Sequence, residues 1–312
     1  MTEIVLSEKM KTCLENFTEC LDKIMEEYEA KQPACSLYHY TSSEGLLGML
    51  SSKELWLTHF SFLNDPSELK HGRERIINHA NSFVQKTIYD GRLKYFWSIF
   101  PESFYEACRE MDFYINSFSQ AENDLTQWRS YANNGRGFCL EFTPNLVHAL
   151  PDKYENGQTF FLELRYEKSE IHDSCNQVIS MAEEFIKQCL SDGSSLSDVE
   201  FKFIGEMHKE IATLALFLDG QLKHSCYESE KEFRFMWMGK SLFKPEFRLS
   251  SQGYLIPYIK LPLQIQSGKQ LLKKVWIGPA NSTEPQALQR FLVATGFEGV
   301  EIAKSDLPYR VY

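Results

Sequence analysis

The sequence predicts an α+β protein, a mixed or antiparallel sheet flanked by helices. Short β-type runs outnumber what a helical bundle would carry, and irregular lengths separate them, unlike the regular spacers of parallel winding. Helical stretches open the chain and fall together in its middle. With 312 residues, 43% of them hydrophobic, the chain can bury a large core. The expected organisation is an N-terminal amphipathic helix over 1–32 and a single α+β domain of catalytic type over 33–312, carrying a helical insertion at about 170–222.

From Ser7 to about Lys31, Met10, Leu14, Phe17, Leu21, Ile24, Met25 and Tyr28 recur every three or four positions, one apolar stripe on a charged helix. Pro33 ends it. Leu37-Tyr38-His39-Tyr40 then reads as a strand entering Thr41-Ser42-Ser43-Glu44, which has capping-box spacing before Leu46, Leu47, Met49 and Leu50. His39 therefore falls at a strand end beside a helix N-terminus. Leu55–Thr58 is the next strand, Asn64-Asp65-Pro66 forces a turn, and a helix restarts from Ser67 to about Gln85. Phe113–Ser119 and Gly137–Phe142 are β-type runs joined by an acidic loop and a short helix at Trp128–Tyr131, with Asn133-Asn134-Gly135 turning into the second. A strand at Phe160–Tyr166 precedes helices at roughly Ile171–Leu190 and Ser197–Leu218, the latter with Ser197 and Glu200 at capping-box spacing. Strands follow from Glu232, at Leu255–Ile259 and at Val275–Ile277. A helix from about Pro285 to Thr295 and a strand at Val300–Ile302 complete the order.

The net charge of −10 argues against general, phosphate-driven nucleic-acid binding, which needs a clustered basic surface. A local aromatic-basic groove of Trp128, Arg129 and Tyr131 would still suffice for a specific nucleic-acid acceptor. Eight scattered cysteines, with no signal peptide and no long apolar segment, imply a reduced, cytoplasmic protein that does not enter a membrane. The histidines are dispersed and no Cys-x-x-Cys or His-Glu-x-x-His occurs, so no metal site is expected. No glycine-rich phosphate loop is present.

The most informative motif is Glu230-Lys231-Glu232-Phe233-Arg234-Phe235. In a strand, alternate side chains share a face, so Glu230 and Glu232 would point into one space at the mouth of an apolar run. Converging carboxylates are uncomfortable unless a substrate needs them. The plainer alternative is a charged strand edge in which Lys231 and Arg234 are partners.

Several pieces together resemble a bacterial family of uncharacterised function: Leu37-Tyr38-His39-Tyr40-Thr41, Asn64-Asp65-Pro66-Ser67-Glu68, Phe118-Ser119 with Trp128 and Tyr131, and Tyr227 through Arg234. Ile277-Gly278-Pro279 and the terminal Ser305-x-x-Pro-Tyr-Arg310 also match, so the resemblance spans about residues 35–312. That layout in turn resembles the ADP-ribosyltransferase superfamily, with a first-strand His, a Ser-bearing middle strand and a late Glu pair. The resemblance implies an ADP-ribosyltransferase-like sheet core and a mono-ADP-ribosyltransferase of toxin or antiviral defence type. NAD would be the substrate, a protein or nucleic acid the acceptor, and a neutralising partner is compatible with it. By the same resemblance Glu232 would be the catalytic carboxylate and Glu230 would position the acceptor. His39, Tyr40, Thr41, Trp56, Asn64 and Ser119 would line the NAD pocket, and Trp128, Arg129 and Tyr131 would meet the acceptor. Tyr40 departs from the pattern, since many members carry Gly after the first-strand His.

Each residue also has a structural reading. His39 would be a hydrogen-bonded strand residue, Asn64 and Asp65 a turn and cap, Trp128 and Tyr131 core aromatics one helical turn apart. Arg129, Arg136 and Arg234 would be salt-bridge partners, and Arg310 an ion-pair partner of Glu230 or Asp65. Two rival functions accompany the transferase: a non-catalytic binding or regulatory module, and a phosphodiesterase or nuclease holding magnesium on Asp65, Glu68, Glu230 and Glu232.

Overall fold

The computed structural model describes residues 4–29, 32–63, 71–85, 90–166, 169–190, 196–240, 244–250, 253–264 and 269–310. Its first elements are α1 (Glu8–Tyr28), β1 (Leu37–Thr41), α2 (Ser43–Ser52), β2 (Glu54–His59), α3 (His71–Gln85), α4 (Gly91–Arg109) and β3 (Met111–Ser119). Next come α5 (Leu125–Tyr131), β4 (Phe138–Phe142), β5 (Lys153–Tyr154), β6 (Gly157–Glu163), α6 (Ser169–Cys189) and α7 (Asp198–Asp219). The chain closes with β7 (Glu232–Lys240), β8 (Glu246–Leu249), β9 (Leu255–Pro262), β10 (Leu272–Ile277), α8 (Pro285–Ala294) and β11 (Glu301–Lys304).

The chain divides into two compact units. The first gathers α1, α3, α4, α6 and α7. Helix α1 buries Met10, Cys13, Phe17, Leu21, Ile24 and Tyr28, the expected stripe, and Ser7 caps it by accepting from the Met10 N–H. The anticipated capping box of α7 is present, with Ser197 and Glu200 satisfying each other's backbone N–H. Helix α4, for which the sequence reading offered no assignment, buries Leu93, Phe96, Trp97, Phe100 and Phe104 along one side. The His208 ring of α7 lies 4.4 Å from Phe96 and 5.0 Å from Phe100.

The second unit holds the sheet with α2, α5 and α8. Its strands run β11-β10-β4-β1-β3-β2-β9-β8, with β7 joined to both β3 and β6, and β5 to β6. The β10–β11 pair is parallel, whereas β1–β4, β2–β9 and β6–β7 are antiparallel, so the sheet is mixed. Alternation along the strands sends Leu37, Leu57, Phe118, Leu140, Phe233, Phe235 and Val275 into one core, closed by Leu46, Met49 and Leu50 of α2 and Leu288 and Leu292 of α8. Across the sheet from part of this core, Tyr38, Tyr40, Trp128, Ala132 and Cys139 form a smaller cluster.

Three expectations shift. The α2 cap is Ser42, which accepts from the Gly45 N–H, because Thr41 is still paired in β1 and cannot take the non-helical cap position. The run beginning at Phe160 starts earlier, at Gly157, and β8 is an added edge strand on β9. Arg310 is exposed and makes no ion pair among the described residues, and the Glu230 carboxylate receives Tyr131 instead. The terminal motif docks through Ser305, which donates to Asn123 Oδ1 at 2.7 Å, through the Asp306 carboxylate, which accepts from Asn123 Nδ2 at 3.1 Å, and through the Tyr309 hydroxyl, which bonds to Asn134. Among the described residues no helix is long and apolar enough to cross a membrane.

Candidate functional site

Three segments far apart in the chain become neighbouring strands: β1 with His39, β3 with Ser119, and β7 with Glu232. Tyr38 pairs with Ser119, and the Gln120 N–H donates to the Lys231 carbonyl at 3.1 Å, so the end of β3 lies between β1 and the entry to β7. The Ser119 hydroxyl tightens this junction. It donates to the Glu230 carbonyl at 2.5 Å and accepts from the Ala121 N–H at 2.9 Å.

The strand pattern expected for Glu230 and Glu232 does not hold. Glu230 ends a 3-10 turn over Ser225–Glu230, Lys231 has a left-handed φ of 44°, and β7 begins only at Glu232. Glu230 and Glu232 therefore do not alternate along one strand face. Glu230 is buried and its Oε1 accepts from the Tyr131 hydroxyl at 2.8 Å. Glu232 is buried and its Oε1 accepts from Arg234 Nε at 3.1 Å and Nη2 at 2.8 Å, an ion pair with both partners out of solvent.

Around this junction the structure gathers Tyr40, Ser119, Glu230, Trp128 and Tyr131. Tyr40 donates to the Ala121 carbonyl at 2.7 Å and accepts from the Asp124 N–H at 3.0 Å, and burial raises its phenol well above the ordinary range. Its ring meets Trp128 edge-on at 5.0 Å. Trp128 is fully buried and donates to Asn123 Oδ1 at 3.0 Å, so it offers no open face for an acceptor base. Arg129 is set apart from this network and lines a surface cavity of about 340 Å³ with Leu125, Thr126, Ser130 and Asn134.

His39 is not on the side of Glu232. Its ring packs 5.4 Å from Phe118, which in turn packs 5.9 Å from Phe235, whereas Glu232 and Arg234 alternate with Phe233 and Phe235 and face away. His39 occupies a fork in the sheet. Strand β3 pairs with β2 at Tyr114 and Ile115 and with β1 at Ser119, and residues 116–118 lie between the two pairings. There side chains take backbone groups: His39 Nδ1 bonds the Ser117 carbonyl at 2.8 Å, and the Asn116 amide donates to the Trp56 carbonyl at 2.9 Å. Burial lowers the His39 pKa, the Ser117 bond opposes this, and the Arg248 charge adds to the lowering. Asn116 Oδ1 and Trp56 Nε1 are buried without partners.

Thr41 lies buried at the end of β1, with its side chain against Gly45. Trp56 stands 5.1 Å from Tyr258. Asn64, Asp65 and Glu68 lie outside the described residues. Sequence reasoning passed over Asn116, Thr58 and Arg248, the polar residues nearest the fork. The available signal was the alternation in Glu246-Phe247-Arg248-Leu249, which puts Glu246 and Arg248 on one face of a short strand. Among the described residues no group of three or more His, Cys, Asp or Glu side chains is arranged to hold a metal ion.

Fold and site together define an α+β protein with a forked mixed sheet and a buried polar junction between its central strands. Residues 127–235 match a family model described as Protein of unknown function (DUF2971), so this stretch, which contains Trp128, Tyr131, Glu230 and Glu232, is similar to an uncharacterised family. No curated protein and no solved structure matches the chain.

Proposed function

We propose that the protein is an NAD-dependent mono-ADP-ribosyltransferase, of the toxin or defence kind, acting on a protein or nucleic-acid acceptor. One observation carries this reading: the His39, Ser119 and Glu232 strands, chosen from sequence, are adjacent in the order β1-β3-β7. In the reaction nicotinamide leaves with the electrons of its bond to ribose, and the acceptor nucleophile forms the new bond to the same carbon as its proton passes to a base. Positive charge develops on the sugar, as in glycoside hydrolysis. A carboxylate at the entry to β7 would stabilise that charge by about 3 kcal/mol.

A second reading, a binding module without catalysis, is favoured by the Glu232–Arg234 pair and by the opposite facing of His39. Incubation with NAD labelled on the adenylate, with and without lysate protein or nucleic acid, separates the two. The transferase reading expects nicotinamide release and label transfer that fall about a hundredfold in Glu232→Gln or Glu230→Gln. If wild-type protein releases no nicotinamide under any of these conditions, the binding module stands in its place.

A further inference from the structure

Arg248 is a half-buried guanidinium without a carboxylate. It reaches across β9 to donate from Nη2 to the Thr58 hydroxyl of β2 at 2.8 Å, with its guanidinium carbon 5.9 Å from the centre of the Tyr258 ring. Its Nε is buried and has no hydrogen-bond partner. The nearest acid on its own strand, Glu246, is already engaged by Lys260 at 2.7 Å and by the Tyr258 hydroxyl at 3.0 Å. Among the described residues no carboxylate pairs with Arg248, although the chain carries 43 acidic against 33 basic residues. Burial lowers the guanidinium pKa from its ordinary value. A cation removed from water without a counter-charge is unfavourable, and a sequence rich in acids had ample means to supply one.

The surroundings favour an anion. A second donor, Trp56 Nε1, is buried without a partner, and its ring lies against Tyr258, the ring that Arg248 also approaches. The Thr58 hydroxyl, which accepts from Arg248, keeps its own hydrogen to donate. The Arg248 charge is also felt at His39 on the fork.

We propose that Arg248, with the Thr58 hydroxyl and the Trp56 indole N–H, binds a phosphate-type oxyanion. Guanidinium suits this chemistry because its planar fork offers several N–H donors to two oxygens at once. The site shares Trp56 with the residues expected to line the NAD pocket, and its test by phosphate binding does not depend on NAD turnover.

Isothermal titration of the full chain with inorganic phosphate, pyrophosphate and ADP tests the site. Wild-type protein is expected to bind at least one of these, more weakly as salt rises. Arg248→Gln should weaken binding by about tenfold or more, and Thr58→Val by a few-fold. Arg248→Lys, which keeps the charge but not the fork, should fall between wild type and Arg248→Gln and serves as the readout if Arg248→Gln does not fold. Tighter binding of ADP than of phosphate would identify a nucleotide ligand, and equal binding a free oxyanion. No binding of any probe to wild type, or affinities unchanged in Arg248→Lys and Thr58→Val, would overturn the proposal.

Discussion

Ser119 joins the end of β3 to the turn that precedes β7, 111 residues further along the chain. Its single hydroxyl satisfies the Glu230 carbonyl and the Ala121 N–H, so removing it strands two backbone groups beside the entry to β7. Ser119→Ala should lower stability by about 1–3 kcal/mol, the usual range for a buried hydrogen-bonding group left unmatched. Denaturant unfolding against Ser119→Thr, which keeps the hydroxyl, measures it. Equal midpoints for Ala and wild type would mean the hydroxyl is not structural. His39 shows what residue identity alone conveys: a histidine on an apolar strand was readable as a hydrogen-bonded residue. Its partner, the Ser117 carbonyl, became available only because β1 and β2 part at that point of β3.

At the scale of elements, the β6–β7 ladder is shaped by two glycines. Gly157 pairs with Gly239, and a Cβ on either would stand 2.4 Å from atoms of the Trp237 ring. That ring is fully buried and donates to the Tyr154 carbonyl at 2.9 Å. Gly239→Ala should therefore destabilise by about 1–3 kcal/mol through overpacking and change the near-ultraviolet aromatic signal. Gly205→Ala in α7 meets nothing within 4 Å and should stabilise by up to about 1 kcal/mol through helix propensity. Thermal unfolding of the two variants beside wild type checks both signs, and a stabilised Gly239→Ala would contradict the packing account. Periodicity identified α1 and α7 because a helix repeats its own apolar face every turn. It misplaced the Glu230–Glu232 geometry because the left-handed Lys231 breaks the alternation just before β7 begins.

Across the whole molecule, acid should act through buried histidines: His208 of the helical unit and, in the same sense, His39 of the sheet unit, whose pKa burial also lowers. His208 is fully buried between aromatic rings, and burial, opposed by the nearby Phe96 backbone, lowers its pKa from 6.5 to about 3. Because the folded value lies below the unfolded one, the neutral form stabilises the fold fully above about pH 6.5, and this contribution is lost as pH falls toward 3. At pH 5.5, one unit below the unfolded value, the loss is about 1.4 kcal/mol. Asp22 and Glu210, whose carboxyls burial raises, act in the opposite sense on acidification, so the comparison must be between variants. His208→Leu should unfold less steeply between pH 7 and 5 than wild type, and parallel pH profiles would remove His208 as the cause.

By itself the sequence determined the α+β class, the stripe of α1 and the capping box of α7, because propensity, periodicity and caps act within a few residues. The tertiary structure alone decided that β1, β3 and β7 are neighbours, that Glu232 is held by Arg234 while Glu230 is held by Tyr131, and that Arg248 reaches Thr58, a residue 190 positions away. Sheet pairing joins distant segments through backbone groups that are the same in every residue, so strand order and the side chains it brings together are set by packing the whole core.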